Sequence, residues 1–373
     1  MEDLALNMFD KVYEGKKVLV TGHTGFKGSW LTSWLLELGA EVVGISHKIP
    51  TVPSIFESLC LKNMITHYQE DITNFEKIKS ILDDEKPDFI FHLAAQAIVS
   101  ESYSKPVETI LSNVVGTTSI LEALRLLNFP CVAVIITSDK AYENIEQVWG
   151  YKENEKMGGK DVYSGSKGAA ELIIGSYLHS FFQAEENNVS LGIARAGNVI
   201  GGGDWAKDRI VVDCMKAWSA GNSVEIRSPE ATRPWQHVLE PISGYLSLGQ
   251  NLLRKKILHG EAFNFGPRSE QNKTVRELLE DLSQYWNFER TNKAFNITDN
   301  IPFHEAGLLK LNCDKALSML KWEPTLNYQE TIRFTSEWYY SFYKLQDTAA
   351  KITFAQIENY HDIAKLKGLL WTR

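Results

Sequence analysis

The sequence predicts an α/β fold built on a doubly wound parallel sheet, and three observations carry that expectation. Apolar, β-rich stretches alternate with helically spaced ones through the first 196 residues. A glycine-punctuated turn, Thr21-Gly22-His23-Thr24-Gly25-Phe26-Lys27-Gly28, joins the first such strand to the first helix. Farther on, Tyr163 and Lys167 lie four residues apart in a helical stretch and therefore share one face.

The elements follow in order. Lys17–Val20 is a short apolar strand ending at the glycine turn. Trp30, Leu31, Trp34, Leu35 and Leu38 recur at helical spacing over Gly28–Leu38, and Gly39 stops that helix. Glu41–Ile45 reads as a second strand, Ile65–Tyr68 as a weak third and Phe75–Leu82 as a helix. Asp88–Leu93 is a strand, Glu108–Leu127 a long helix and Cys131–Thr137 a strongly β-branched strand. Val162–Phe182 and Val189–Ala194 complete the series as helix and strand. Such alternation needs right-handed crossovers, which make the sheet parallel.

After about residue 196 the rhythm changes, with Gly201, Gly202, Gly203, Pro229, Pro234, Pro241 and Pro267 as punctuation and helices outnumbering strands. Two units are expected: residues 1–196 as a Rossmann-type dinucleotide-binding domain, and 197–373 as a smaller, mostly helical substrate lobe interleaved with returns to the main sheet. The tail from Gln346 onward, with Leu366, Leu369, Leu370 and Trp371, reads as an amphipathic helix on the body or on a second subunit.

Composition narrows the function. A 373-residue chain with 23% charged residues and a net charge of −8 is ordinary for a soluble enzyme and offers no broad nucleic-acid footprint. Cys60, Cys131, Cys214 and Cys313 lie far apart, as free thiols of a reducing compartment do. Met1–Gly15 carries Glu2, Asp3, Asp10 and Glu14 and has no apolar core for a signal peptide. No run approaches the ~18 apolar residues of a membrane span. A cytoplasmic protein with no membrane partner is expected. No His or Cys pair has metal-ligand spacing, so no metal site is assigned.

The glycine turn has the physics of a pyrophosphate cradle. Gly22, Gly25 and Gly28 let backbone approach the phosphates, which meet N–H groups of the helix start beside Thr24 and Phe26. A carboxylate for the ribose is expected near the end of the second strand, but the chain has Ile45-Ser46-His47-Lys48 there. Ser46 can bond either ribose, so this position leaves NAD and NADP open. Asp71 and Ile72, after the third strand, either bracket an adenine ring or are a helix cap followed by a core residue. Leu93, Ala94 and Ala95 end a strand with small side chains that admit a cofactor.

The chemistry concentrates in two strings. A nearby ammonium at Lys167, with a positive nicotinamide, is expected to lower the Tyr163 phenol from ~10 towards neutrality and make it a base for a hydroxyl. Thr137-Ser138-Asp139-Lys140 ends a buried strand at the sheet edge where ligands bind. Ser138 can hydrogen-bond the oxygen that Tyr163 deprotonates. An acid and a base side by side, Asp139 and Lys140, point to proton transfers beyond alcohol oxidation; the plain alternative is a solvated ion pair. Lys140 acts as a base only if burial or neighbouring charge lowers it.

The strings GHTGFKGSWL (22–31), HLAAQ (92–96), TSDKAYEN (137–144), ARAGNVIGGGDWAKDRI (194–210) and RPWQHVLEP (233–241) resemble the CDP-glucose 4,6-dehydratases. These are a branch of the extended short-chain dehydrogenase/reductase superfamily. The resemblance runs from about Gly15 to about residue 345. It implies a cycle with bound NAD in which Tyr163, assisted by Ser138 and Lys167, takes the hexose 4-hydroxyl proton as C4 gives up hydride. Lys140 would then remove the C5 proton and Asp139 protonate the departing 6-hydroxyl; whether Lys140 or a carboxylate is the C5 base stays open. Hydride returns to C6, leaving a 4-keto-6-deoxy sugar nucleotide.

Gln96, Asn198, Arg209, Arg227, Arg233 and His237 are the expected substrate contacts, the arginines clamping a diphosphate bidentately. His237 has a structural role as its alternative reading. Asn113, in the long helix, is expected to support the catalytic loop. The rivals are an epimerase or decarboxylase on the same fold, and a catalytically silent dinucleotide sensor. A homodimer or homotetramer formed through helices of the main sheet is expected.

Overall fold

The structure is a computed structural model that describes residues 8–183, 187–226, 228–268, 271–286, 288, 294–298 and 308–373. Strand β1 (Lys17–Thr21) leads through the glycine turn into α1 (Phe26–Glu37), then β2 (Glu41–Ile45) and β3 (Thr66–Tyr68). Helix α2 (Phe75–Glu85) precedes β4 (Phe89–His92). The long helix α3 is Pro106–Ile110 and Gly116–Arg125 joined by a π-helical turn, Leu111–Val115. β5 (Cys131–Ile136), α4 (Val162–Tyr177) and β6 (Val189–Ala196) follow. The chain then runs through the second half and α5 (Leu239–Arg254) before re-entering the sheet as β7 (Ala262–Phe265).

The seven strands lie in the order β7-β6-β5-β4-β1-β2-β3, and each neighbouring pair is parallel. Every residue of β4 and β5 is buried, because helices cover both faces and no side of the strand meets water. The pleat sorts the core in two. Val18, Val20, Phe89, Phe91, Val132 and Val134 face Trp30 and Trp34 of α1 and Leu246 of α5. Leu19, Ile90, Ala133 and Ile135 face Ile78 of α2, Leu121 of α3 and Ile174 of α4.

Helices α6 (Tyr328–Tyr343) and α7 (Ala349–Leu366) close the first face. The C-terminal tail packs on its own body: Trp371 stacks on Phe9 at 5.2 Å and on Tyr360 at 5.7 Å, and Asp10 N donates to Arg373 O. Among the described residues no helix is long and apolar enough to cross a membrane.

Glu240 on α5 ties this closure together. Its carboxylate accepts from Thr325 N (2.8 Å), Leu326 N (2.6 Å) and Tyr360 OH (3.1 Å). Burial raises it from the ordinary carboxylate range to about 7, against the pull of those donors. A carboxyl raised on folding binds more protons in the native state, so its contribution is full below the unfolded value near 4.5 and is lost as pH rises through about 7. Glu240→Gln keeps one of the two accepting oxygens and removes the titration, at a pH-independent cost for the backbone N–H that then faces the amide. The melting temperature of the native protein relative to Glu240→Gln is therefore expected to fall steadily between pH 5 and 7.5; scanning calorimetry showing a pH-independent difference would refute this.

Candidate active site

The strand order reverses between β1 and β4, and the crevice at their carboxyl ends is where an open α/β sheet receives a ligand. Thr21 Oγ1 accepts from Leu93 N (3.2 Å) and Ala94 N (3.1 Å), holding the two strand ends together. Gly22 has φ +75°, and a Cβ there would lie 2.8 Å from Ala94 N. A Cβ on Gly28 would stand 2.2 Å from Gly22 O, so helix and turn touch only because both side chains are missing. Gly25 is the N-cap of α1, which leaves the first helical N–H groups aimed past Thr24 and Phe26 into the crevice.

The ribose corner differs from the expectation. Ser46 is turned inward, its Oγ 3.2 Å from His23 Nδ1 and 3.4 Å from Thr24 N, and His23 Nε2 meets His67 Nδ1 at 2.8 Å. A carboxylate stands at the end of β3 instead of β2, Asp71 Oδ2 lying 3.3 Å from His47 Nδ1. Asp71 Oδ1 also accepts from Thr73 N and Oγ1, while the cap of α2 is Asn74. Ile72 is a core residue, seated where Gly116 leaves room for it.

The residues expected to be catalytic gather across the crevice. Asp161 caps α4 by accepting from Ser164 N and Oγ, and the helix it starts carries Tyr163 and Lys167, each 7% exposed. At the end of β5, Ser138 caps the short turn Asp139–Ala141, accepting from Lys140 N (3.2 Å) and donating to Asp139 Oδ1 (3.0 Å). Gly197 backs this carboxylate: a Cβ there would lie 3.1 Å from Asp139 Oδ2. Asp139 is 4% exposed.

Desolvation dominates the electrostatics. Burial raises the Asp139 carboxyl, with Lys140, Ser138 and Lys27 opposing. Burial lowers Lys167 to about 8, with Glu171 opposing. It also raises Tyr163 to about 12, against a hydrogen bond with Ser138 and the charge of Arg209. Within the protein alone, loss of water outweighs the charge of Arg209; the expected lowering takes Lys167 together with a positive nicotinamide, and that second charge belongs to the bound cofactor.

Sequence reasoning passed over Lys27. It donates to Tyr245 OH at 3.2 Å, and burial followed by Arg209 and Lys167 lowers it to about 8, with Asp139 opposing. Its one signal was a lone charge between the last two glycines of the turn.

The expected substrate contacts separate. Arg209 reaches the cluster, pairing with Asp204 at 2.7 Å while its charge is felt at Tyr163. Asn198 is half-buried in the loop after β6, and Arg233 lies on the short strand Thr232–Pro234, donating to Thr232 O. Arg227 lies outside the described residues. One expectation is corrected. His237 is fully buried between the rings of Trp30 and Phe334, and burial lowers it to about 3, so it is a neutral core residue. Gln96 is half-buried; it turns its amide to Ile98 O and Thr109 Oγ1 and accepts from Ile98 N, which shapes its own loop.

A dinucleotide fits this cradle. Gly22 and Gly28 let the turn close on Ala94 and on the start of α1 where a Cβ would meet backbone, Ala94 and Ala95 present small side chains at the adjoining strand end, and the Lys167 ammonium makes no hydrogen bond to a described residue.

Comparison with known proteins places the geometry. The sequence model of the family described as GDP-mannose 4,6 dehydratase matches residues 19–335. The CDP-glucose 4,6-dehydratase of Salmonella typhimurium is 45% identical over 344 residues, covering 91% of this chain and 95% of that protein. The CDP-paratose 2-epimerase of Salmonella typhi is 24% identical, covering 86% and 98%. The crystal structure of dTDP-glucose 4,6-dehydratase from Bacillus anthracis in complex with NAD superposes with a TM-score of 0.71 at 19% identity, covering 87% and 96%; at that identity the likeness is one of fold.

Asn113 links the two halves of the site, accepting from Gln96 N (2.8 Å) and donating to Gln96 O (3.1 Å) and Ser166 Oγ (2.9 Å). Asn113→Leu keeps the volume and orphans those backbone groups. It is expected to lower unfolding free energy by roughly 2–4 kcal/mol. Denaturant titration showing a change within about 0.5 kcal/mol would mean the link is dispensable.

Proposed function

The chain belongs to the GDP-mannose 4,6 dehydratase family, and on that footing we propose that it is an NAD-dependent CDP-glucose 4,6-dehydratase. The observation that carries the reading is Asp139: a buried carboxyl whose proton affinity burial raises, at the end of β5 beside Lys140 and close enough for its charge to be felt at Tyr163. An epimerase working only at C4 has no use for a second acid and base there.

Bound NAD supplies the acceptor and later the donor of the hydride, and its positive nicotinamide favours the Tyr163 phenolate. The cradle of Gly22, Gly25 and Gly28 would hold its pyrophosphate, and Lys167 its nicotinamide ribose. Tyr163 takes the proton of the sugar 4-hydroxyl, steadied by Ser138. The 4-ketone acidifies the C5 hydrogen, which Lys140 removes. Asp139 gives its proton to the departing 6-hydroxyl, so water leaves without hydroxide forming in a desolvated site. Lys140 returns the proton to C5 as hydride reaches C6. Arg209 and Arg233 are the diphosphate clamp in this reading, and the setting is the cytoplasm.

Purified protein incubated with a panel of nucleotide diphosphate hexoses is expected to convert CDP-glucose to a product lighter by one water in mass spectrometry. Tyr163→Phe should reduce turnover by the roughly 10²–10⁴-fold typical of a lost general base. In single turnovers, Asp139→Asn and Lys140→Met should still reduce bound cofactor while forming product slowly. Equal loss of both phases would move that pair out of the elimination.

The active unit in this reading is a homodimer. Val107 (63% exposed), Leu111 and Val115 lie at i, i+4 and i+8 on α3, beside Leu172 (64% exposed) on α4. Two such faces meeting would bury an apolar four-helix seam. Sedimentation is expected to show at least a dimer for the native chain and monomer for Leu111→Glu/Leu172→Glu. A native chain that sediments as monomer at micromolar concentration would refute the seam.

A further inference from the structure

Behind the catalytic cluster lies a buried polar network that the mechanism above does not use. Glu171 stands one helical turn after Lys167 on α4 and pairs with Arg195 of β6 through both oxygens, at 2.8 Å to Nε and 3.1 Å to Nη2. Both side chains are buried. Arg195 Nη1 donates to Tyr142 OH (2.7 Å) and to Glu153 O (2.8 Å), and the guanidinium lies 5.0 Å from the centroid of the Tyr142 ring. Tyr142 OH donates in turn to Asn264 Oδ1 of β7 at 2.8 Å, and its ring stacks on Tyr151. On the other side, Thr137 Oγ1 donates to Glu171 Oε1 at 2.5 Å.

The placement matters more than the bond count. Thr137 immediately precedes Ser138, and Tyr142 follows Lys140 by two residues. One ion pair therefore grips both ends of the Ser138-Asp139-Lys140 turn and fixes it to the helix that presents Tyr163 and Lys167. Gly168 on that helix admits the turn closely, a Cβ there falling 3.3 Å from Ala141 O.

We infer that Thr137 and Tyr142 are positioning residues for the Asp139 and Lys140 elimination pair, anchored through the buried Glu171–Arg195 ion pair. The inference rests on the dehydratase reading for its kinetic half. Its structural half stands on these contacts alone. Tyr163 is carried by α4 itself and meets the turn through Ser138, so loosening the turn should slow elimination, which uses Asp139 and Lys140, more than oxidation.

Tyr142→Phe keeps the ring and its stacking, and Thr137→Val keeps the shape; each removes one anchor and leaves Glu171 and Arg195 paired. Amide hydrogen exchange over residues 138–142 is expected to quicken in both variants. In single turnover with CDP-glucose, 6-deoxy product should slow roughly ten- to hundredfold, the scale of a small misplacement of catalytic groups, and reduction of bound cofactor should slow clearly less, because Tyr163 keeps its place on α4. Unchanged exchange overturns the anchoring. Quickened exchange with both phases slowed equally, or with product unaffected, overturns the assignment to elimination. A native protein inert towards CDP-glucose would sink the dehydratase reading, and the exchange result would still decide the anchoring.

Discussion

The site depends on one steric constraint, the contact of bare backbone at the carboxyl ends of β1 and β4. Gly22 can lie against Ala94, and Gly28 against Gly22, only without side chains. If either contact opened, α1 would swing off the sheet and its N–H groups would no longer face the crevice. Thr21 fastens the same junction by accepting from Leu93 and Ala94. The reversal of strand order places the crevice here, and the glycines let backbone close tightly at its edge.

Across that crevice the protein gathers groups whose protonation is governed mainly by the removal of water. Asp139 is raised, Lys27 and Lys167 are lowered and Tyr163 is raised, and burial is the largest cause in each. Every one of these shifts disfavours charge. The cleft therefore holds groups biased towards their neutral forms, which suits proton shuttling better than fixed ion pairing. The fixed pair, Glu171 with Arg195, lies behind the reacting groups and does mechanical work. A buried bidentate pair with Nη1 also held by Tyr142 OH and Glu153 O resists displacement, since separating it would strand a charge in a medium that solvates it poorly.

The second half of the chain encloses this arrangement from the other face. Trp30 Nε1 donates to Gly202 O, Trp205 Nε1 to Tyr343 OH and Tyr339 OH to Asp204 O, so aromatic side chains carry the loop of Arg209 against the body. Glu240 links α5, the segment at Thr325 and α7 through a single carboxyl group. Cleft and closure share one continuous apolar core, and Trp371 at the far end stacks on Phe9 near the start.

The sequence by itself determined the order and type of the elements. Strand and helix periodicities are local properties of side chains, and each predicted strand from Lys17 to Ala194 lies within about two residues of its place. It also determined the glycine turn and the face shared by Tyr163 and Lys167, because both follow from spacing along a single element. Tertiary structure alone decided the rest. Lys27 and Arg195 come to the helix of Tyr163, Lys167 and Glu171 from elements far apart in sequence, a proximity that no spacing encodes. His237 sits inside a motif yet points into the core, because a short strand puts its ring between Trp30 and Phe334. The Tyr163 phenol is raised although a lysine lies one turn away, since burial is a property of the whole fold and outweighs a single neighbour.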